Sequence, residues 1–326
     1  MISIKELPPQ FYLYLKDSYR EKLFQKVRDR LGGWSSVFKT LGVSYSTLYS
    51  MRMGSDYHKT GRYRGGKAFI NVIDLKKLVC LSDSDLCGVE NNISAIKLQT
   101  GKALYVSLPF YPSPQLASLV GHALGDGHIR SNYEFGYISK NDYLLDKVAT
   151  FGKNVFGLNK IVKSNRINGI KIIYFPRIFG RFLCLAGAIK GNKTLQSFIV
   201  PNWIKNGSND VKRAFLRALF DDEACVKVSK NSNDITFVMC KYEELVTSLE
   251  EFLEGLRHLL NEFKIKSGRV RLRAKYEDRE RREKVEMGFT ICGKRNLVAF
   301  QKEIGFYHPD KSRKLNNAIS SYVYNV

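Results

Sequence analysis

The sequence predicts an α+β protein made of two pseudo-symmetric half-domains, each running helix, strand pair, helix, strand pair, helix (αββαββα), behind a small, mainly helical N-terminal domain. Three observations point there. Leu119–Gly127 (LVGHALGDG) and Leu216–Ala224 (LRALFDDEA) align without a gap 97 residues apart, each a small-residue apolar helix ending in an acid. That spacing is too long for a solenoid repeat and fits a duplicated half-domain of roughly 100 residues. Strand-like alternation and helical periodicity follow both copies in the same order, and the first third of the chain carries short helices separated by glycines. The expected boundaries are 1–105, 106–205 and 206–326.

In the N-terminal third, Leu23, Phe24, Val27 and Leu31 fall at helical spacing within Tyr19–Leu31, and Gly32-Gly33 ends that helix. A second helix is expected over Ser35–Leu41, stopped by Gly42. Ser44 then caps a third over Tyr45–Met51, with Thr47, Tyr49 and Arg52 on its outer side. Helix, glycine turn and polar helix are in helix-turn-helix order, and SSVFKTLGVSYSTLYSMRMG resembles the DNA-reading unit of repressor-like domains. The basic run His58–Lys67 strengthens that reading. A linker is expected over Gly101–Gln115, where Pro109, Pro112 and Pro114 oppose a continuous helix.

In the first half, Tyr133–Lys140 alternates as a strand and Asp142–Phe156 has helical periodicity. Lys160–Arg166 and Ile170–Phe175 form a strand pair turned at Asn168-Gly169. The second half repeats the order with strands Val226–Ser229 and Ile235–Cys240, helix Glu243–Phe263, strands Arg269–Tyr276 and Val285–Cys292, and a closing helix from about Arg295. Strict alternation in RVRLRAKY puts Arg269, Arg271, Arg273 and Lys275 on one face and Val270, Leu272, Ala274 and Tyr276 on the other. The cationic face is expected to meet phosphates and the apolar face to pack on helices. Lys160, Lys163, Arg166 and Lys171 are the corresponding cations of the first half, and Lys311-Ser312-Arg313-Lys314 adds phosphate-binding capacity ahead of a short helix.

The two copies carry the chemistry. Gly121 and Gly125 share a helix face that lets another backbone approach closely, and Ala218 offers a similarly small contact. Two such helices packed side by side bring Asp126 and Glu223 together. Carboxylates that close repel unless cations lie between them, so the composition is that of a divalent-metal site. His122 lies on the motif helix and is read as a packing group.

These segments resemble the LAGLIDADG motifs of homing endonucleases, and the single-chain, two-motif branch in particular, from about Pro112 to Tyr322. The resemblance implies saddle-shaped antiparallel sheets in the major groove of a long, pseudo-palindromic double-stranded DNA target. It also implies Mg²⁺ or Mn²⁺ held at the eighth motif position, Asp126 and Glu223, beside Gly125 and Asp222. Lysines near the acids would assist, and Lys227 and Lys171 are the candidates. Two positions depart from the pattern: Ala224 replaces the final glycine, and Asp222 stands where a small apolar residue is usual. The implied activity is site-specific double-strand DNA cleavage by a monomeric, internally pseudo-dimeric protein. An RNA-splicing maturase acting on intron RNA and a non-cleaving DNA-binding regulator use the same fold and stay open. An intein endonuclease is not expected, because no splicing cysteine or His-Asn end accompanies Met1 and Val326.

Bulk properties agree with a polyanionic partner. The net charge of +22 is spread as +8, +9 and +5 over the three expected domains, which gives a long electrostatic footprint suited to DNA or RNA. With 44% apolar residues in 326, the chain can bury its own cores. Its six cysteines show no CxxC spacing, pointing to reduced thiols and no zinc site. No apolar stretch is long enough for a signal region or a membrane span, so a cytoplasmic location is expected, with organellar or nuclear ones also open.

Overall fold

The structure is a computed structural model that describes residues 2–53, 69–100, 103–158, 162–165, 169–229 and 233–322. It divides into two compact units, Met1–Tyr111 with Phe156–Leu158, and Pro112–Val155 with Asn159–Val326.

The first unit runs β1 (Phe11–Leu15), α1 (Asp17–Leu31), α2 (Trp34–Leu41), α3 (Tyr45–Met53), β2 (Ile70–Asn71), α4 (Val72–Leu81), α5 (Leu86–Glu90) and β3 (Ile93–Leu98). Gly32 and Gly42 end α1 and α2 in the left-handed region, at φ 77° and 72°, where a side chain is strained. The helices follow the expected order. Beside them lies an antiparallel sheet, β2-β1-β3, that the periodicity did not reveal. In β1, Phe11, Leu13 and Leu15 are buried while the half-buried Tyr12 and Tyr14 are also apolar-bodied, so no polar face marks the alternation. The stretch expected as a linker folds back on this unit: Leu104 bridges Ile96, and Phe110 bridges Ile2.

The second unit contains the repeat. Its first half is α6 (Pro114–Leu124), β4 (Gly127–Ile129), β5 (Phe135–Ser139), α7 (Asp142–Phe156), β6 (Val162–Asn165), β7 (Lys171–Phe175) and α8 (Arg177–Leu185). After a short α9 (Asn202–Lys205), the second half is α10 (Asn209–Glu223), β8 (Ala224–Val228), β9 (Asn233–Tyr242), α11 (Val246–Glu262), β10 (Arg271–Glu277), β11 (Glu283–Cys292) and α12 (Lys294–Glu303), followed by α13 (Pro309–Ser321). Their antiparallel sheets have equivalent orders, β4-β5-β7-β6 and β8-β9-β11-β10. The expected αββαββα pattern is therefore present twice.

Sequence sets the helix starts. Ser113 and Ser208 accept hydrogen bonds from the backbone N–H groups of Leu116 and Val211, and Pro114 occupies the first turn of α6, where its missing N–H costs nothing. Packing between the halves centres on α6 and α10. A methyl group at Gly121 would lie 2.8 Å from Ala218 Cβ and 2.9 Å from the Phe215 carbonyl, and Ser118 Oγ donates to the Ala214 carbonyl at 3.3 Å. Every residue of α6 from Leu116 to Leu124 is buried, so this small-residue seam is the centre of the unit.

Candidate metal and nucleic-acid site

The C-terminal ends of α6 and α10 meet. Asp222, the seventh residue of the second motif, reaches across to the first: its carboxylate accepts from the Asp126 backbone N–H at 3.1 Å and from Tyr137 Oη at 2.7 Å, and lies 3.1 Å from His122 Nδ1. Asp221 instead turns within its own half and accepts from the Tyr307 and His308 backbone N–H groups. The Asp222 charge and hydrogen bond raise the His122 pKa against the opposing pull of burial.

Asp126 is exposed at the end of α6. Partial desolvation, then the Asp222 charge, raises it to about 6. Glu223 is raised to about 7, first by desolvation and then by the charge of Asp126. Glu223 thus feels Asp126, while Asp126 feels Asp222, and both acids hold their protons more tightly than a free carboxyl group does. Among the described residues, no three His, Cys, Asp or Glu side chains form a ready-made ligand set. A metal would take one carboxylate per motif; the Gly125 and Asp222 carbonyls expected beside them accept from lysine ammonium groups. Such an oxygen-only set suits Mg²⁺ or Mn²⁺.

Two half-buried lysines supply the existing positive charge: Lys193, which the sequence reading missed, and Lys311, which it placed only among the phosphate-binding cations. Lys193 Nζ donates to the carbonyls of Ala123 (3.4 Å), Leu124 (3.1 Å), Gly125 and Gly127 (2.8 Å). Lys311 Nζ donates to those of Phe220 (3.2 Å), Asp221 (2.5 Å) and Asp222 (3.3 Å). Each lysine therefore covers positions five, six and seven of its motif, where the carbonyls left open at a helix end concentrate negative potential. Burial lowers the pKa of both lysines, and the nearby carboxylates oppose that shift. Lys193 comes from a short helical turn at Lys193–Leu195, and Lys311 from the first turn of α13. Lys311-Ser312-Arg313-Lys314 thus lies inside a helix rather than ahead of one, with Lys311 turned inward.

The lysines expected to assist lie on strands β7 and β8. Lys171 pairs with Asp142 at 2.5 Å, and Lys227 is exposed on β8 opposite Asp234. Lys163 likewise pairs with Asp146 at 2.5 Å, so both β6–β7 lysines face α7 rather than the open side of the sheet. Lys160 and Arg166, with the Asn168 turn, lie outside the described residues.

The cationic strand is broken by a bulge. The β10–β11 register shifts between Leu272 and Ala274, and the extra residue reverses the alternation beyond it. Arg271 pairs with Gly288, and Arg273 donates to Thr290 Oγ1 at 2.5 Å, both on the open face. Lys275 falls opposite Val285 on the inner face and pairs with Glu243 at 2.5 Å. Leu272 and Tyr276, expected to pack on helices, are exposed: β10 is an edge strand, and beyond the bulge Tyr276 falls opposite Lys284 on the open face. Arg269, just before the strand, is exposed too.

In the first unit, Tyr45, Ser46 and Thr47 are exposed at the start of α3. Tyr49 and Arg52 are half-buried, and the Arg52 guanidinium lies 4.3 Å from the Trp34 ring and 5.4 Å from that of Tyr49. The basic run at 58–67 lies outside the described residues.

Residues 210–305, which span α10 to the end of α12, match the family model described as a LAGLIDADG-like domain. The chain carries a LAGLIDADG-like domain. Among curated proteins, it is 24% identical over 327 residues to the glutamine–fructose-6-phosphate aminotransferase of Methanocaldococcus jannaschii, a match covering 96% of this chain and 26% of that protein. It is 26% identical over 232 residues to the tRNA-splicing ligase RtcB of Methanopyrus kandleri, covering 64% and 22%. The chain therefore spans about a quarter of the length of these relatives. Among solved structures, variants of the homing endonuclease I-DmoI align at 13% identity and TM-score 0.38 over 63% of this chain and 97% of theirs. The N-terminal LAGLIDADG domain of DUF199/WhiA aligns at 16% and 0.36 over 61% and 86%.

The place of Lys193 and Lys311 at the motif ends had no local signature. They lie far along the chain from their motif acids and sit in different elements, so only the tertiary fold aligns them. Lys241 has the same character: it is buried, 3.9 Å from the Phe198 ring, and donates to the carbonyls of Lys193 (3.0 Å) and Gln196. Burial, then the Lys193 charge, lowers its pKa to about 8. It therefore holds the turn that presents Lys193.

Proposed function

We propose that this protein is a metal-dependent, site-specific double-strand DNA endonuclease that acts as an internally pseudo-dimeric monomer. The observation that carries this reading is the convergence of Asp126 and Glu223 at the joined ends of α6 and α10, each beside a lysine on the same three carbonyls of its motif. Two related centres are what hydrolysis of two antiparallel strands requires. When bound, Mg²⁺ or Mn²⁺ supplies Lewis-acid stabilisation of charge at the scissile phosphates. Asp126 and Glu223 hold it as carboxylates. Lys193 and Lys311 keep the paired acids ionisable and set positive charge near the place where charge grows on phosphate oxygens.

The open face of the second sheet, with Arg271, Arg273 and Lys227, would follow the DNA backbone. Arg269 extends it, and the exposed start of α3 with Thr47 would contact DNA separately. The matched relatives have unrelated names, and the match fills only 26%, 22%, 17% and 9% of an aminotransferase, an RNA ligase, an RNA polymerase subunit and a replication factor subunit. A module recurring in unrelated hosts is consistent with a mobile endonuclease, and no host activity is carried to this chain. Incubation with a randomised duplex pool in Mg²⁺ or EDTA, followed by sequencing of cut ends, tests the reading. One recurrent site cut on both strands in Mg²⁺ alone supports it, whereas retained binding without cutting in Mg²⁺ or Mn²⁺ favours the regulator.

A further inference from the structure

The two centres differ in one connected group of residues. Asp222 occupies motif position seven, where the first half has Gly125, and His122 occupies position four, where the second half has Leu219. Tyr137 pairs with Gly127, the ninth motif residue, while Phe237 pairs with Ala224, the ninth residue of the other motif. The polar set Asp222, His122 and Tyr137 is thus replaced, position for position, by Gly125, Leu219 and Phe237. The Asp222 and His122 side chains are both 0% exposed. The carboxylate's bonds to Tyr137, His122 and the backbone N–H of Asp126 itself all go to the first half.

Such a buried group is over-determined: each partner fixes the carboxylate, and the carboxylate fixes the peptide on which Asp126 is mounted. Gly125 leaves it the necessary space, since a methyl group there would overlap the Asp222 side chain. Glu223 has no equivalent, because Gly125 has no side chain to return. Nothing in the LAGLIDADG pattern requires an acid at position seven.

We propose that Asp222 is a positioning residue that fixes Asp126, but not Glu223, in cleavage geometry, so that the two DNA strands are cut at rates it sets unequally. This rests on the endonuclease reading.

The test is strand-resolved, single-turnover cleavage of an end-labelled duplex selected by the wild-type protein from a randomised pool in Mg²⁺. Asp126→Asn first identifies the strand served by Asp126. The triple variant His122→Leu, Tyr137→Phe, Asp222→Gly then installs the residues already packed at these positions in the other half, removing both side-chain partners of Asp222 along with it, so that the Asp126 backbone N–H is the group that loses its acceptor. The expected result is at least a tenfold fall on the Asp126 strand relative to the other, with duplex affinity within about threefold of wild type. Tyr137→Phe alone, which removes one of the hydrogen bonds, should shift the strand ratio about threefold in the same direction and serves if the triple variant does not fold. Equal losses on both strands, or an unchanged ratio, would overturn the role of Asp222. A wild-type protein that cuts no duplex in Mg²⁺ or Mn²⁺ would overturn the endonuclease reading itself.

Discussion

The two halves of the Pro112–Val326 unit share one strand order and one pattern of lysine-capped motif ends, yet they spend their charged residues differently. In the first half, Lys163 and Lys171 pair with Asp146 and Asp142 of α7, and Arg130 pairs with Glu134 at 2.7 Å while its guanidinium lies 5.1 Å from the Tyr174 ring. In the second, Arg271, Arg273 and Lys227 stand on the open side of the sheet. The difference separates what the fold must repeat from what each half is free to change. The seam between α6 and α10 and the charge balance at their ends are repeated, while the sheet faces and the side chain at motif position seven are not.

The largest expected effect lies in the repeated part. Gly121→Leu should cost about 3 kcal/mol or more by forcing the seam apart, as measured by chemical denaturation. Unchanged stability would mean that the helices do not meet there. Lys193→Met and Lys311→Met should each slow cleavage by about 100-fold, the scale of losing one preorganised charge donor, with duplex affinity little changed. A large effect from one lysine and none from the other would break the symmetry of the two centres.

Acidity gives a smaller effect with a definite sign. Asp126 and Glu223 have folded-state pKa values of about 6 and about 7, above their ordinary values near 4. For such groups, the stability they contribute is fully present below the unfolded pKa and is lost as pH rises through the folded one. In EDTA, Asp126→Asn and Glu223→Gln should therefore become more stable relative to wild type from about pH 4 upward, levelling off roughly one unit above the folded value of each acid. Thermal melts across that range check this, and a gap that narrows with rising pH would contradict it.

Charge on the sheets gives the smallest effect. Arg271→Gln with Arg273→Gln should lower the slope of log affinity against log salt by about 0.9 for each phosphate no longer neutralised. Lys163→Gln with Lys171→Gln should leave it unchanged. Equal slopes for both pairs would remove the distinction between the sheet faces.

Much of this was legible in the sequence. The repeat, the order of elements, the Gly121–Ala218 contact and the approach of Asp126 to Glu223 follow from local pattern, because a small-residue helix face and a terminal acid are written in consecutive residues. The rest depends on tertiary detail. One bulged residue at Arg273 reverses the side on which Lys275 falls, and strict period-two alternation cannot anticipate it. Lys193 and Lys311 carry no motif, since the carbonyls they cover exist as a site only once the helix ends are folded. Asp222 was visible as a departure from the pattern, but its partners His122 and Tyr137 emerge only from packing and register.

The most direct measurement is metal-dependent cleavage of a selected duplex by the wild type, Asp126→Asn, Glu223→Gln and the double variant, with binding measured in parallel. The wild type is expected to cut both strands in Mg²⁺, each single variant to be reduced to nicking or to no cleavage, and the double variant to bind without cutting. Undiminished double-strand cleavage by the double variant would contradict a metal centre built on these two acids.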